Sequence, residues 1–151
     1  MPITVSSLDG MKVAILVSDG FEQVELTEPR KALDLAGAQT QIVSPVQGQV
    51  RGWNHHDPAD SFSVDVPLER ACADDFDALL LPGGVVNPDA LRIDEAAVAF
   101  VRGFLESGKP IAAICHGPCS CAVLPRLIRP LSAAYRTITD SIRVTGKPFI
   151  D

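Results

Sequence analysis

The residues best suited to chemistry are Cys115-His116-Gly117-Pro118, which follow the short apolar run 111–114. A thiol at a strand end, then a small residue and a proline that suits the first turn of a helix, is the pattern of a strand–nucleophile–helix elbow. The N–H groups and partial positive charge of a helix N-terminus favour the thiolate. We therefore predict that Cys115 is a nucleophile whose pKa lies below that of a free cysteine. The alternative is a small buried hydrophobic residue at a strand end.

Backbone N–H groups near the predicted nucleophile are candidate oxyanion donors. Gly83-Gly84 follow a second apolar run, and their freedom to turn sharply could aim N–H groups at the neighbouring strand end. An ordinary tight turn is the alternative. The N–H of His116 is a further candidate, because it belongs to the residue after the nucleophile, and Gly117 is grouped with these residues as substrate-binding. Adjacent residues need not face each other, so a bond between the His116 ring and the thiol is not predicted.

The elements that must position these residues are short apolar strands alternating with periodic helical segments. The predicted strands are Met11–Ser18, Thr40–Ser44, Ala78–Leu81 and Ile111–Ile114, and the predicted helices end near Gly37 and run from Asp94 to about Ser107. This alternation predicts an α/β fold with a parallel sheet, whose sites form at the carboxyl ends of the strands. The polar stretch 45–67 is long for a loop and predicts a small hairpin or a functional insertion.

Composition limits the class of protein. The chain has 151 residues, of which 46% are hydrophobic and 21% charged, as expected for one globular domain covering residues 1–151. A net charge of −6 without a Lys/Arg cluster disfavours nucleic-acid binding. We find no apolar run of membrane-spanning length and no signal-like start. Four cysteines are too few for a disulfide scaffold, so a reducing, cytoplasmic setting is expected.

Taken together, the motifs resemble the PfpI family, the intracellular protease and general stress protein branch of the class I glutamine amidotransferase-like superfamily. The segments that carry the resemblance are Ala112–Pro118, Leu81–Gly84, Asp19–Leu26, Gly52–His55 and Asn87–Arg92. The resemblance implies a flavodoxin-like three-layer sandwich with a mainly parallel central sheet. It also implies a homo-oligomer, a dimer or higher, and no cofactor.

The resemblance further implies two acidic groups beside the cysteine. One is a glutamate early in the first helix region, which falls on Glu25, with Glu22 as the less favoured choice. A protonated carboxyl there would donate to the thiolate and lower its pKa; a solvated helix charge is the alternative. The other reaches His116 from a neighbouring subunit and falls on Asp89, where the family typically has glutamate. An ordinary loop residue is an equally good interpretation of Asp89.

In function, the resemblance implies a cysteine-dependent stress-response enzyme. Cys115 would attack a carbonyl, the N–H groups of Gly84 and His116 would hold the oxyanion, and His116 with Asp89 would move protons. We favour a reactive carbonyl substrate, as in glyoxalase III or deglycase activity, because nothing in the sequence describes a peptide-binding cleft. The alternatives are an intracellular cysteine peptidase and a redox-sensing stress protein without turnover.

Some segments depart from the family pattern or suggest other sites. His55 and His56 could be metal ligands, but two adjacent histidines without a clear third partner are more often surface residues. The cluster of Cys115, Cys119 and Cys121 with His116 matches no common zinc spacing, so no metal site is predicted. Pro125 is expected to shorten the helix after the nucleophile, and Pro130 adds strain. Relative to the family, the sequence is short by a strand pairing and a closing helix after Asp151, so marginal stability or association through an exposed edge is expected.

Overall fold

The computed structural model describes residues 7–118. The strands are β1 (Lys12–Leu16), β2 (Phe21–Glu22), β3 (Gln39–Ser44), β4 (Gln49–Asn54), β5 (Asp57–Ser63), β6 (Val66–Pro67), β7 (Ala78–Leu81) and β8 (Ile111–Ala113). The helices are α1 (Gln23–Leu35), α2 (Val86–Ile93) and α3 (Glu95–Glu106), with short 3₁₀ turns at Leu68–Arg70 and Ala73–Asp75.

Five strands form the central sheet in the order β6-β3-β1-β7-β8, and every neighbouring pair is parallel. Alternate residues of these strands enter two apolar clusters, one on each face. Ala14 and Leu16 of β1 pack in the cluster that contains Phe100 and Phe104 of α3. The intervening residues of β1 pack in the cluster that contains Leu26 of α1. Burial of both faces explains why the strands are continuous apolar runs, and the predicted parallel α/β fold is confirmed.

The polar stretch 45–67 forms a hairpin, which was one of the two structures predicted for it. Its antiparallel strands are β4 and β5, and β4 also pairs in parallel with β2 to give a second, three-stranded sheet. The stretch then returns to the central sheet as β6, which pairs with β3. The hairpin lies against the start of α1, where the Gln23 side chain exchanges two hydrogen bonds of 2.8 Å with Asp60.

The helix after Asp94 is confirmed, because the Asp94 side chain accepts a hydrogen bond from Ala97 N at 2.9 Å as its N-cap. The alternative that Asp89 is a loop residue is wrong. Residues 86–93 form α2, with Pro88 in its first turn. A proline is tolerated there because the first N–H groups of a helix have no partner within it.

None of the helices in the part of the chain that the structure describes is long and apolar enough to span a membrane. The expectations for Cys119 and Cys121, for the effect of Pro125 and Pro130, and for the strand and helix beyond Asp151 all lie outside the described residues.

Candidate active site

The candidate site lies where three neighbouring parallel strands end. β1 ends before Ser18, β7 ends before Gly83, and β8 ends before Cys115. Leu81 pairs with Ala113, so the loops that follow β7 and β8 start at the same level of the sheet. The candidate residues therefore lie at the carboxyl edge of the sheet, where sites are expected in parallel α/β folds.

Cys115 has the backbone geometry of an elbow. Its φ is +53°, in the left-handed region that side-chain-bearing residues rarely adopt. A hydrogen bond of 2.7 Å from Gly117 N to Ile114 O closes the turn around it. Strained backbone of this kind is typical of functional sites and of the turn at a nucleophile elbow.

Four groups surround the sulfur of Cys115. The backbone N–H groups of Gly84 and His116 lie close enough to its Sγ to lower the pKa of the thiol, and the carboxyl group of Glu25 lies close enough to raise it. His116 Nδ1 lies 3.2 Å from Sγ, so the ring does face the thiol, although the sequence did not predict this bond. Two N–H donors, a carboxyl group and an imidazole nitrogen therefore converge on one sulfur atom.

Glu25 reaches the thiol from the first turn of α1. Its Oε2 accepts a hydrogen bond of 2.6 Å from Gly83 N. Burial raises the pKa of Glu25, and the negative charge of Glu22 adds to this, whereas the hydrogen bonds from Gly83 and Cys115 act in the opposite direction. The structure thus places Glu25, rather than Glu22, beside the thiol. The carboxylate of Glu22 instead accepts a hydrogen bond of 3.1 Å from His55 N.

Although Cys115 as a residue is exposed, partial loss of solvent around its sulfur raises the pKa of the thiol above its ordinary value, and the negative charge of Glu25 raises it further. The backbone N–H groups of His116 and Gly84 lower it, but by less. The expected lowering of this pKa is therefore wrong for the described residues. That expectation relied on a helix N-terminus after Pro118, in a segment outside those residues, and on a protonated Glu25.

The three glycines predicted as oxyanion or substrate-binding residues have different roles. Gly84, with φ of +86°, has its N–H close enough to the Cys115 thiol to lower the thiol pKa, and a Cβ there would lie 2.7 Å from Gly20 O. The N–H of Gly83 already donates to Glu25, and that of Gly117 to Ile114 O. Gly84 and His116 therefore supply the donors that face the sulfur, whereas Gly83 holds Glu25.

Asp89 lies on the exposed side of α2, where its Oδ1 accepts a hydrogen bond of 2.7 Å from Arg92 Nε. Within one chain the structure does not bring Asp89 to the Cys115–His116 pair. Its predicted role across a subunit contact stays a prediction.

Sequence reasoning missed Asn87 as a residue connected to the site. It is fully buried, and its amide joins the end of β1 to the turn after β7. The signal in the sequence was an amide residue close behind Gly83-Gly84, but Asn-Pro is a frequent turn pair and concealed it.

No group of three or more His, Cys, Asp or Glu side chains within residues 7–118 could hold a metal ion. His55 and His56 are exposed in the turn between β4 and β5. Two surface cavities, of about 410 and 170 Å³, lie beside α1 and beside Pro45 and Pro67, and neither is lined by Cys115.

Comparison with known families decides the assignment. The sequence profile of the DJ-1/PfpI family matches residues 11–151. The chain belongs to the DJ-1/PfpI family. This confirms the resemblance that the motifs indicated, and the family's flavodoxin-like fold agrees with the parallel sheet and its flanking helices.

Proteins similar to this DJ-1/PfpI chain carry different functional names, as three curated relatives show. "Deglycase TK1284" of Thermococcus kodakarensis is 36% identical over 141 residues, which are 93% of this chain and 82% of the relative. "General stress protein 18" of Bacillus subtilis is 39% identical over 143 residues, 94% of this chain and 81% of the relative. "Putative cysteine protease YraA" of Bacillus subtilis is 40% identical over 107 residues, 71% of this chain and 61% of the relative.

Solved structures agree in fold. A two-domain protein from Anabaena variabilis with DJ-1/ThiJ/PfpI-like and ferritin-like domains superposes with a TM-score of 0.66 at 33% identity, over 73% of this chain and 31% of that one. Oxidized DJ-1 of Toxoplasma gondii superposes with a TM-score of 0.64 at 25% identity, over 77% of this chain and 60% of that one. The chain thus spans less than two thirds of the length of these two proteins.

Proposed function

We propose that this DJ-1/PfpI protein is a cysteine-dependent enzyme that converts small reactive dicarbonyls, or their early adducts on proteins, into hydroxy acids. The observation that carries the proposal is the convergence on Cys115 Sγ of Glu25, His116 Nδ1 and two backbone N–H groups. A nucleophile with a base and oxyanion donors in contact is the arrangement that acyl and carbonyl chemistry needs. The deglycase name of the Thermococcus relative supports the choice of substrate.

The proposed steps for methylglyoxal need only these residues and water. The sulfur of Cys115 bonds to the aldehyde carbon while the thiol proton passes to the ring of His116. The new oxyanion is held by the N–H groups of Gly84 and His116 and then takes up that proton, which gives a hemithioacetal. His116, 3.2 Å from the sulfur, is placed to be the base for the next proton transfer.

The second half of the reaction moves a proton and then adds water. The proton on the carbon bonded to sulfur is removed while the ketone oxygen takes up a proton, which gives an enediol. A proton is then added at the neighbouring carbon and the hydroxyl on the sulfur-bearing carbon loses its proton, which gives a lactoyl thioester. Water then breaks the C–S bond, lactate leaves, and the thiol regains its proton. Methylglyoxal plus water equals lactate plus one proton in atoms and electrons, so no external oxidant or reductant takes part.

The working form in this proposal is a cytoplasmic homo-oligomer without a bound cofactor. Asp89 would approach His116 of a neighbouring subunit and orient its ring. The exposure of Asp89 on α2 supports this, because the carboxylate is accessible to a second subunit and its ion pair is with Arg92 of the same helix.

A second candidate is an intracellular cysteine peptidase, which the name of the relative YraA favours. The same nucleophile and oxyanion donors would serve a peptide bond, and the released amine would take its proton from His116. A third is a stress protein whose thiol is oxidised without turnover.

A steady-state assay separates the three. We expect the full chain to produce many equivalents of lactate from methylglyoxal per Cys115, and Cys115→Ser to produce none. Cleavage of a labelled casein substrate at a faster rate than lactate formation would identify a peptidase instead. Consumption of a single equivalent of hydrogen peroxide, with neither turnover reaction, would identify a redox sensor and overturn the proposed enzyme. Arg102→Ala, on the exposed side of α3, is a matched control that should keep full activity.

A further inference from the structure

Asn87 occupies a fully buried position at the start of α2, just behind the turn Pro82-Gly83-Gly84. Its Oδ1 accepts a hydrogen bond of 2.7 Å from Ser18 N, at the end of β1. Its Nδ2 donates to Pro82 O at 3.0 Å and to Gly83 O at 3.1 Å. One donor and two acceptors surround the side chain, so the amide can be oriented in only one way.

The two carbonyls that Asn87 holds belong to the peptide groups whose N–H groups build the site. The carbonyl of Pro82 shares a rigid plane with the N–H of Gly83, and the carbonyl of Gly83 shares one with the N–H of Gly84. In a trans peptide the C=O and N–H point in opposite directions. Fixing the two oxygens toward Asn87 therefore fixes the two N–H groups away from it.

Those N–H groups serve the two acidic groups of the site. Gly83 N donates to Glu25 Oε2 at 2.6 Å, and the N–H of Gly84 lies close enough to the Cys115 thiol to lower its pKa. Glycine at both positions leaves these peptides free to rotate, since no Cβ restricts them. The turn therefore depends on an outside partner to choose one orientation, and the side chain of Asn87 is placed to do so.

We propose that Asn87 is a positioning residue, which holds two successive peptide groups so that the N–H of Gly83 faces Glu25 and the N–H of Gly84 faces Cys115. It does not touch the reacting atoms itself. Ser18 N donates to the Asn87 oxygen just after β1, the central strand of the sheet. The side chain of Asn87 therefore holds the turn after β7 in a fixed orientation relative to β1. The inference rests on the proposed function only in the test that measures turnover of methylglyoxal.

The first test uses Asn87→Asp, which keeps the shape and the acceptor for Ser18 N but replaces the NH₂ donor by a carboxylate oxygen that faces two carbonyls. Asn87→Ala removes all three hydrogen bonds without adding a charge. In both variants we expect kcat for methylglyoxal to fall by about 10- to 100-fold, because a misoriented oxyanion donor loses part of the about 10²–10³-fold that its complete removal costs. Leu91→Val is the matched control: Leu91 is buried on the same helix but packs in the apolar core.

The second readout does not need turnover. Cys72, Cys119 and Cys121 are replaced by serine, and the rate of iodoacetamide alkylation of Cys115 is measured against pH. The N–H of Gly84 lowers the thiol pKa, so its misorientation in the Asn87 variants should move the midpoint to higher pH. The shift should persist in a Glu25→Gln background, which removes any effect through the carboxyl group. Leu91→Val should not move the midpoint.

Each outcome decides the matter. A raised alkylation midpoint in the Asn87 variants, with none in Leu91→Val at matched melting temperature, supports the positioning role even if wild-type protein turns over no methylglyoxal. A midpoint that Asn87→Asp and Asn87→Ala leave unchanged overturns it. If neither variant folds while Leu91→Val does, Asn87 acts on the stability of the fold and the proposal is also overturned.

Discussion

The carboxyl group of Glu25, in the first turn of α1, lies beside the thiol of Cys115, which follows β8. Burial raises the pKa of both groups, and the charge of ionised Glu25 raises that of the thiol further. The negative charge of Glu25 therefore opposes formation of the Cys115 thiolate.

Glu25→Gln should therefore lower the pKa of Cys115, the opposite of what the family resemblance suggested. Glutamine keeps an oxygen for the N–H of Gly83, removes the negative charge, and brings an N–H₂ group that can donate to the thiolate. Iodoacetamide alkylation against pH measures the midpoint in protein whose other cysteines are serine. The wild-type midpoint should lie above the ~8.5 of a free cysteine.

Glu28→Gln is the control for this prediction, because it is the same substitution at an exposed position of α1 and should leave the midpoint unchanged. A midpoint that rises in Glu25→Gln would mean that a protonated Glu25 activates the thiol, as first expected. A wild-type midpoint below the free-cysteine value would likewise contradict the balance of burial and charge described above.

Gly84→Ala should remove activity and destabilise the fold more than Gly108→Ala does. Both glycines have positive φ, +86° and +70°, so alanine costs about 1–2 kcal/mol of backbone strain at either one. Only at Gly84 does the new Cβ also meet backbone, 2.7 Å from Gly20 O and 2.9 Å from Glu22 N; at Gly108 nothing lies within 4 Å. Thermal unfolding should show a modest loss of Tm for Gly108→Ala and a larger loss for Gly84→Ala.

Lactate formation from methylglyoxal is the second measurement for this pair. Gly84→Ala displaces an N–H that faces the sulfur, so we expect a fall of about 10²-fold or more. Gly108→Ala should keep wild-type activity in its folded state. Equal losses of Tm in the two variants would show that the loop around Gly84 can move to make room for the new Cβ. The predicted steric clash with Gly20 O and Glu22 N would then be wrong.

The sequence predicted the parts of this molecule whose pattern is local. Continuous apolar runs gave β1, β7 and β8, and Asp94 before a periodic segment gave the start of α3. Cys115 was found because its strand is unmistakable and its neighbours suit an elbow. Glu25 came from the family resemblance rather than from any local pattern.

The features that could not be predicted from the sequence depend on residues that are far apart in the chain and close together in the fold. The pKa of Cys115 reflects burial and the charge of Glu25, neither of which can be summed from the residues around the cysteine. Asn87 was missed for the same reason, since its partners are the end of β1 and the turn after β7. Its helix was concealed because Pro88 suggests a turn, although proline is well tolerated in a first helical turn.

If Asp89 acts on His116 of a neighbouring subunit, activity should be recovered by mixing two inactive variants. Cys115→Ala and Asp89→Ala chains, dissociated and reassembled together, can form contacts that join an intact Cys115 to an intact Asp89. Lactate formation should then exceed the sum of the separate variants. Arg92→Ala tests the opposite effect, because it frees Asp89 from its partner within the chain and should not lower activity. Full activity of Asp89→Ala alone would remove this residue from the mechanism.

His116 contributes two separate groups to the site, and His116→Asn should separate them. The substitution keeps the backbone N–H that donates to Cys115 Sγ and removes the ring whose Nδ1 lies 3.2 Å from it. Because the backbone donor is the part of His116 that lowers the thiol pKa, the alkylation midpoint of Cys115 should change little. Loss of a general base should lower kcat for methylglyoxal by about 10²–10⁴-fold. If the midpoint and kcat instead change together, the ring also sets the ionisation of the thiol, and proton transfer by His116 is not a separate step.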